Sequence, residues 1–274
     1  MDRLPPDYRR GAKGRATPIW DIIEKAKQDR VPTGLSAKTV NKQLEAIQKL
    51  VRHARAHGVN LPGIELSILR VRDDEAAKEK RYPFTQEDIR RLFEQPRLNL
   101  SAERGALWWN AHLAAYTGAR REEIAALDTS DIETLDDIPV IHIRSNAHRS
   151  LKNGQSSRVV PVHPDLIALG FLDYAKGRKP GLLFDIKRKG KSFGNDFEYG
   201  WQKVRKAVIE ADAKKTFHSF RHSAIQTLIE AGIPLNVRAD LFGHDHDHIE
   251  GKIYGGGMKT SILFDAVKLL PSVR

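Results

Sequence analysis

Apolar residues in the first part of the chain recur at helical steps. Residues 19–28 form a short amphipathic stretch that VPTG closes. Val40, Leu44, Ile47, Val51 and Ala54 then fall on one face at steps of three and four. Ser36 is placed to cap this second helix and Gly58 to end it. A capping-box-like start, Thr85-Gln86-Glu87-Asp88, opens a helix through Ile89, Leu92 and Phe93 that stops at Pro96. The next helix, about residues 102–116, buries Leu107, Asn110 or Ala111, and Ala114, with Trp108 and Trp109 as core and interface aromatics, before Gly118 breaks it. From Ile138 to Val162 the period shortens to that of strands. Val140, Ile141 and Ile143 make one run and Arg158, Val159, Val160 and Val162 another, around the hairpin signal Asn153-Gly154. Helical spacing returns from Pro164 to about Tyr174, in 197–210, from His218 to Gly232, from Pro234 to Gly243 and in 260–270, with a short strand expected at 182–184. The pattern predicts a mainly α protein with a small antiparallel β-sheet, an α+β class.

Residues 70–82, RVRDDEAAKEKRY, hold almost no large apolar side chain and read as a linker. They divide the chain into a small all-α domain with its linker, 1–78, and a larger domain, 79–274. Residues 1–18, rich in Pro, Gly and Arg, read as a flexible arm or a truncated end.

Composition sharpens this picture in one direction. The 274 residues carry a formal charge of +11, an excess of Lys and Arg that favours a polyanionic partner, most often nucleic acid. Lys38, Lys42, Lys49, Arg52 and Arg55 line the polar face of the second helix, either as a solvated face or as a phosphate-tracking one. Cysteine is absent, which excludes disulfides, thiolate metal sites and a cysteine nucleophile. The N-terminus has no secretory h-region and no apolar run approaches the roughly 20 residues of a membrane span, so an intracellular protein is expected. No Walker loop or dinucleotide fingerprint suggests ATP or NAD.

The chemistry concentrates in 216–254. His218, Arg221 and His222 share a helix face, His244 follows Gly243, and Tyr254 precedes a run of glycines. Fixed cations, imidazoles and a phenol suit work on a phosphate. The two helices before His244 are also open to a helix-turn-helix reading, although Ala239, Leu241 and Phe242 offer little to read bases. The run His244-Asp245-His246-Asp247-His248 invites a metal reading but lacks the helical pairing of a metallohydrolase. Farther back, Arg120 sits on a helix start with Glu123 one turn on, an arrangement that steadies a guanidinium for bidentate phosphate binding. Lys152 projects from the hairpin tip.

Set in order, these motifs resemble the tyrosine recombinases of the phage integrase family over residues 82–270. The family's TGxRxxEL-type motif is matched by Thr117-Gly118-Ala119-Arg120 with Glu123 and Ile124, and its hairpin lysine by Lys152. Its HxxRH box is matched by His218, Arg221 and His222, its LGH box by Phe242-Gly243-His244, and its nucleophile by Tyr254. The gap from His244 to Tyr254 is about a residue longer than usual, and the Thr that usually precedes the tyrosine has no counterpart. Residues 36–61 resemble the closing helices of the family's core-binding domain.

The resemblance implies a catalytic core of the DNA breaking–rejoining type behind a small helical domain. It implies a site-specific recombinase that needs neither metal, ATP nor another cofactor. Tyr254 would form a 3′-phosphotyrosyl link, with His218 accepting its proton, Arg120, Arg221 and His244 holding the phosphate, and Lys152 as general acid. Glu123 and His222 would support them. Lys38, Lys42, Lys49, Arg52, Arg55 and Arg149 would touch DNA. The implied partner is a double-stranded recombination site, bound by four copies of the chain that are monomeric or weakly associated without it, in a nucleoid-associated, cytoplasmic setting. A non-catalytic DNA-binding protein of the same fold is the alternative.

Overall fold

The computed structural model describes residues 4–5, 8, 16–31, 34–61, 63, 65–72, 82–99, 105–150, 157–210, 214–243 and 258–273. The chain divides into two compact units, Met1–Glu79 and Lys80–Arg274.

In the first unit, helix α1 (Ile19–Gln28) buries Ile23 and Ala26. Helix α2 (Ala37–Ala56) starts at the expected cap, where the Ser36 hydroxyl accepts from the Thr39 amide at 3.3 Å. It buries no residue fully, and Lys38, Lys42, Lys49, Arg52 and Arg55 are all exposed. Asn41 ties the helix to the following extended chain, donating to the Val71 carbonyl at 2.8 Å and accepting from the Val71 amide at 3.0 Å.

The second unit holds one apolar core whose buried members run from Phe84 to Val273. Helix α3 (Gln86–Phe93) opens on a full capping box: the Asp88 amide donates to Thr85 Oγ1 and the Thr85 amide to Asp88 Oδ2. Helix α3 ends before Pro96, as expected, and Pro96 opens a single further turn, α4 (Pro96–Asn99). Helix α5 (Ala106–Thr117) is buried on nearly every side, Trp108 and Trp109 included, and Gly118 ends it in the left-handed conformation at φ 57°. Short helix α6 (Arg121–Ala125) follows at once.

A three-stranded antiparallel sheet comes next, in the order β1 (Ile132–Leu135), β2 (Ile138–Ile143), β3 (Arg158–Pro161). Ile141 of the central strand pairs with Ile132 on one side and Val160 on the other. Strand β1 was not foreseen, because IETL alternates weakly. Its turn, Asp136-Asp137, takes positive φ at both residues, as a tight hairpin requires. The hairpin tip at Asn153-Gly154 lies outside the described residues.

The helix expected from Pro164 to Tyr174 is split by Gly170, at φ 85°, into α7 (Pro164–Ala168) and α8 (Phe171–Lys176). The strand expected at 182–184 is a single bridge between Asp128 and Leu182. Helices α9 (Glu198–Val208), α10 (Ser219–Glu230), α11 (Leu235–Phe242) and α12 (Thr260–Val267) complete the unit. Helix α10 packs on α5, while α11 and α12 both pack against β3. The C-terminal helix therefore folds back in cis, a point the sequence left open. Among the described residues no helix is long and apolar enough to cross a membrane.

Candidate phosphate-binding site

The site is built where α5 ends. Thr117 turns its hydroxyl onto the Leu113 carbonyl and accepts from the Ala119 amide at 3.1 Å, which fixes the turn into α6. Gly118 is required there twice over. Its φ is left-handed, and an added Cβ would lie 2.5 Å from the Phe242 ring. The carbonyl of Gly118 accepts from Arg221 Nη1 at 3.0 Å, and the carbonyl of Phe242 accepts from Arg221 Nη2. The guanidinium lies 5.5 Å over the Phe242 ring. Arg221 is thus pinned between the end of α5 and the end of α11.

Arg120 stands two residues after Gly118, at the cap of α6. Its amide donates to Glu123 Oε2 at 2.8 Å and its Nη1 to Glu123 Oε1 at 2.7 Å, while its side chain stays 42% exposed. The pair is the arginine–glutamate clamp expected from the sequence. A partner to it was not expected. Arg158, at the start of β3, donates from Nη2 to Glu123 Oε2 at 2.7 Å and from Nε to the Leu241 carbonyl at 2.9 Å. Both ends of this second pair are buried, at 4% and 7% side-chain exposure. Alternation along β3 held the signal: Arg158 shares its face with Val160 and Val162, so it points toward the core.

Electrostatics follow from this packing. Burial pushes the Glu123 carboxyl up, but the hydrogen bond and charge of Arg158, and then Arg120, overcome it and hold the group at about 2. Burial, with the nearby charges of Arg120 and Arg158, presses Arg221 down to about 9, still above neutral pH. Arg120, Arg158 and Arg221 therefore share the single charge of Glu123, and the excess is positive. An anion brought to the exposed edge of Arg120 would relieve it.

His218, at the cap of α10, and His222, one turn on, are half-buried, with ring centroids 5.0 Å apart and planes near perpendicular. The structure brings Arg120, Glu123, Arg221, His218 and His222 to the ends of α5, α6 and α10. Lys152, His244 and Tyr254 lie outside the described residues.

Arg149 departs from its expected place on a DNA-facing surface. It is buried, and its guanidinium donates to the main-chain carbonyls of Glu123 and Arg144 and pairs with Asp131 at 3.4 Å. It works as a strut behind α6. The helix-turn-helix reading also fails on burial, since Val237, Ala239, Leu241 and Phe242 all face the core. Among the described residues no three His, Asp or Glu side chains are grouped to hold a metal ion; the 244–248 run lies outside them.

The mainly helical unit with its small three-stranded antiparallel sheet has the fold of solved tyrosine recombinases. The sequence model of the phage integrase family matches residues 83–256, and the chain belongs to that family. Membership supports site-specific recombination as its general function. No curated protein sequence matches the chain. Among solved structures, the Tn1549 transposon integrase in complex with a circular intermediate DNA is similar at 18% identity and a TM-score of 0.53, over 87% of this chain and 80% of that one. The integrase of mycobacterium phage Brujita is similar at 15% identity and a TM-score of 0.50, over 94% and 79%. The XerH site-specific recombinase bound to its difH substrate matches at 18% identity and a TM-score of 0.49, over 68% of this chain and 52% of that one, so the chain spans about half of that relative's length. At these identities the likeness is one of fold.

Proposed function

We propose that the protein is a tyrosine-type site-specific DNA recombinase that cuts and rejoins duplex DNA through a covalent link at Tyr254. The observation that carries this reading is the convergence of Arg120 and Arg221 through Gly118, with Glu123 steadying the exposed guanidinium. Two such cations suit the nonbridging oxygens of a phosphodiester as charge gathers in the pentacoordinate transition state. The Tyr254 oxygen forms a bond to phosphorus and the bond to the 5′-oxygen breaks. The phenolic proton passes to His218, and Lys152 supplies a proton to the departing oxygen. His244 hydrogen-bonds the phosphate, and His222 orients the Arg221 helix. The phosphotyrosyl link conserves the bond energy, so rejoining needs neither ATP nor a metal. Exchange between two duplexes calls for four protomers on the DNA.

The test is trapping on a library of nicked duplexes of randomised sequence, in which the cut fragment diffuses away and strands the adduct. Wild-type protein is expected to form a denaturant-resistant DNA adduct in the presence of EDTA, mapping to Tyr254. Tyr254→Phe should form none while binding DNA nearly as well. Adducts from the phenylalanine variant, or a dependence on metal, would sink the assignment. Binding with no adduct from wild type would favour a non-catalytic DNA-binding protein.

A further inference from the structure

Between Arg120 and Glu123 lie two residues that hold a different part of the chain. Glu122 accepts hydrogen bonds from Ser192 Oγ at 2.5 Å, the Phe193 amide at 2.7 Å and the Gly194 amide at 3.1 Å. Arg121 pairs with Glu198 and donates to Asn195 at 3.2 Å. It passes so close to Gly194 that a Cβ there would sit 2.7 Å from Arg121 Nε. The segment they hold is a tight turn. Lys189 and Ser192 exchange main-chain hydrogen bonds of 3.0 and 3.3 Å, Gly190 takes φ 65°, and buried Ile186 and Phe193 flank the turn on either side. Its tip carries Lys187, Arg188, Lys189 and Lys191, all exposed. Lys189 pairs with Asp196 at 2.7 Å and Arg188 lies 5.8 Å over the Phe193 ring.

We propose that this tip, residues 187–191, is a phosphate-contact site for duplex DNA, held in fixed register with Arg120 by helix α6. The proposal rests on the reading of the protein as a DNA recombinase. A basic loop that merely solvates its charges needs no anchor, and crowding like charges at one turn is unfavourable. Here a carboxylate that accepts three hydrogen bonds, an arginine brace and two buried apolar flanks hold the crowded charges in place. The anchor and Arg120 belong to one short helix, and a helix is about 10–12 Å across. Duplex DNA carries a charge about every 1.7 Å along its axis, so a strand bound at Arg120 offers the tip further phosphates a few nucleotides away.

The experiment measures affinity for a random-sequence duplex by fluorescence anisotropy across a salt series. Lys187→Gln, Arg188→Gln and Lys191→Gln are made together, leaving Arg121, Glu122 and Lys189 in place. The slope of log affinity against log salt is expected to flatten by about 2 to 3, with affinity at ~0.1 M salt falling about tenfold or more. Lys187→Arg with Lys191→Arg should keep the wild-type slope. Lys191→Glu alone, with melting unchanged, should weaken binding in the same direction. An unchanged slope and affinity in the glutamine variant overturn the site. Adduct formation is scored apart from this. Wild-type protein that binds duplex without forming adducts defeats the recombinase reading and leaves the slope to decide the tip. Wild type that binds no duplex defeats both.

Discussion

Glu123 serves two guanidinium groups at once, the half-exposed Arg120 and the buried Arg158. The arrangement separates stability from the proposed chemistry: the buried pair holds the carboxylate, and the carboxylate holds the arginine that meets the ligand. Its pH signature has a definite sign. The folded value of about 2 lies below the ordinary 4.5, so the stabilisation is complete above 4.5 and is lost as pH falls toward 2. A shift of that size corresponds to about 3 kcal/mol. Glu123→Gln is therefore expected to lower stability by about 2–3 kcal/mol at neutral pH and to lose less than wild type between pH 5 and 2. Urea unfolding across that range checks it, and parallel curves for the two proteins would rule the linkage out. The clamp of Arg120 by Glu123 was legible from a three-residue spacing at a helix start. Arg158 was legible only from alternation, since a sequence shows which face a strand residue takes but not which carboxylate waits there.

At the scale of elements, the junction of α5, α6 and α11 hangs on Gly118. Alanine there would meet a left-handed φ, about 1–2 kcal/mol, and a Phe242 ring at 2.5 Å, an overpacking of about 1–3 kcal/mol. Gly118→Ala should thus lose about 2–5 kcal/mol in chemical denaturation, summing those two effects. It should also impair adduct formation, because the Gly118 and Phe242 carbonyls both hold Arg221. A loss below ~0.5 kcal/mol, the scale of a neutral surface change, would show that the turn repacks freely. Sequence was informative where local chemistry decides an element, as at the Ser36 cap, the Thr85–Asp88 box and the strands around Val160. It failed where tertiary context decides. Strand β1 is a weakly alternating edge that exists by pairing with β2, and Gly170 splits what reads as one helix.

For the whole molecule, the two units differ sharply in what they bury. The core cluster lies within residues 84–273, whereas among the described residues of the first unit the buried apolar side chains are Ile23 and Ala26. A fragment of residues 80–274 should therefore unfold in one cooperative transition, and a fragment of residues 1–79 should show none. Thermal melts followed by circular dichroism compare them, and a fragment 80–274 without native ellipticity would refute the division. The boundary between the units falls within RVRDDEAAKEKRY, a stretch with almost no large apolar side chain to bury.

One contact at the far end of the second unit governs how the proposed nucleophile can be used. The Met258 amide donates to Asp240 Oδ2 at 2.9 Å, which moors the chain to α11 three residues before Gly243, where that helix ends. Tyr254 is four residues from the mooring, a leash of at most about 14 Å at full extension. The root of the leash is on the helix whose terminal carbonyls grip Arg158 and Arg221. In the proposed reaction, a nucleophile on so short a leash would gain effective concentration from chain length and not from assembly. For the proposed mechanism, this short tether favours attack by Tyr254 on a phosphate held by the arginines of its own protomer.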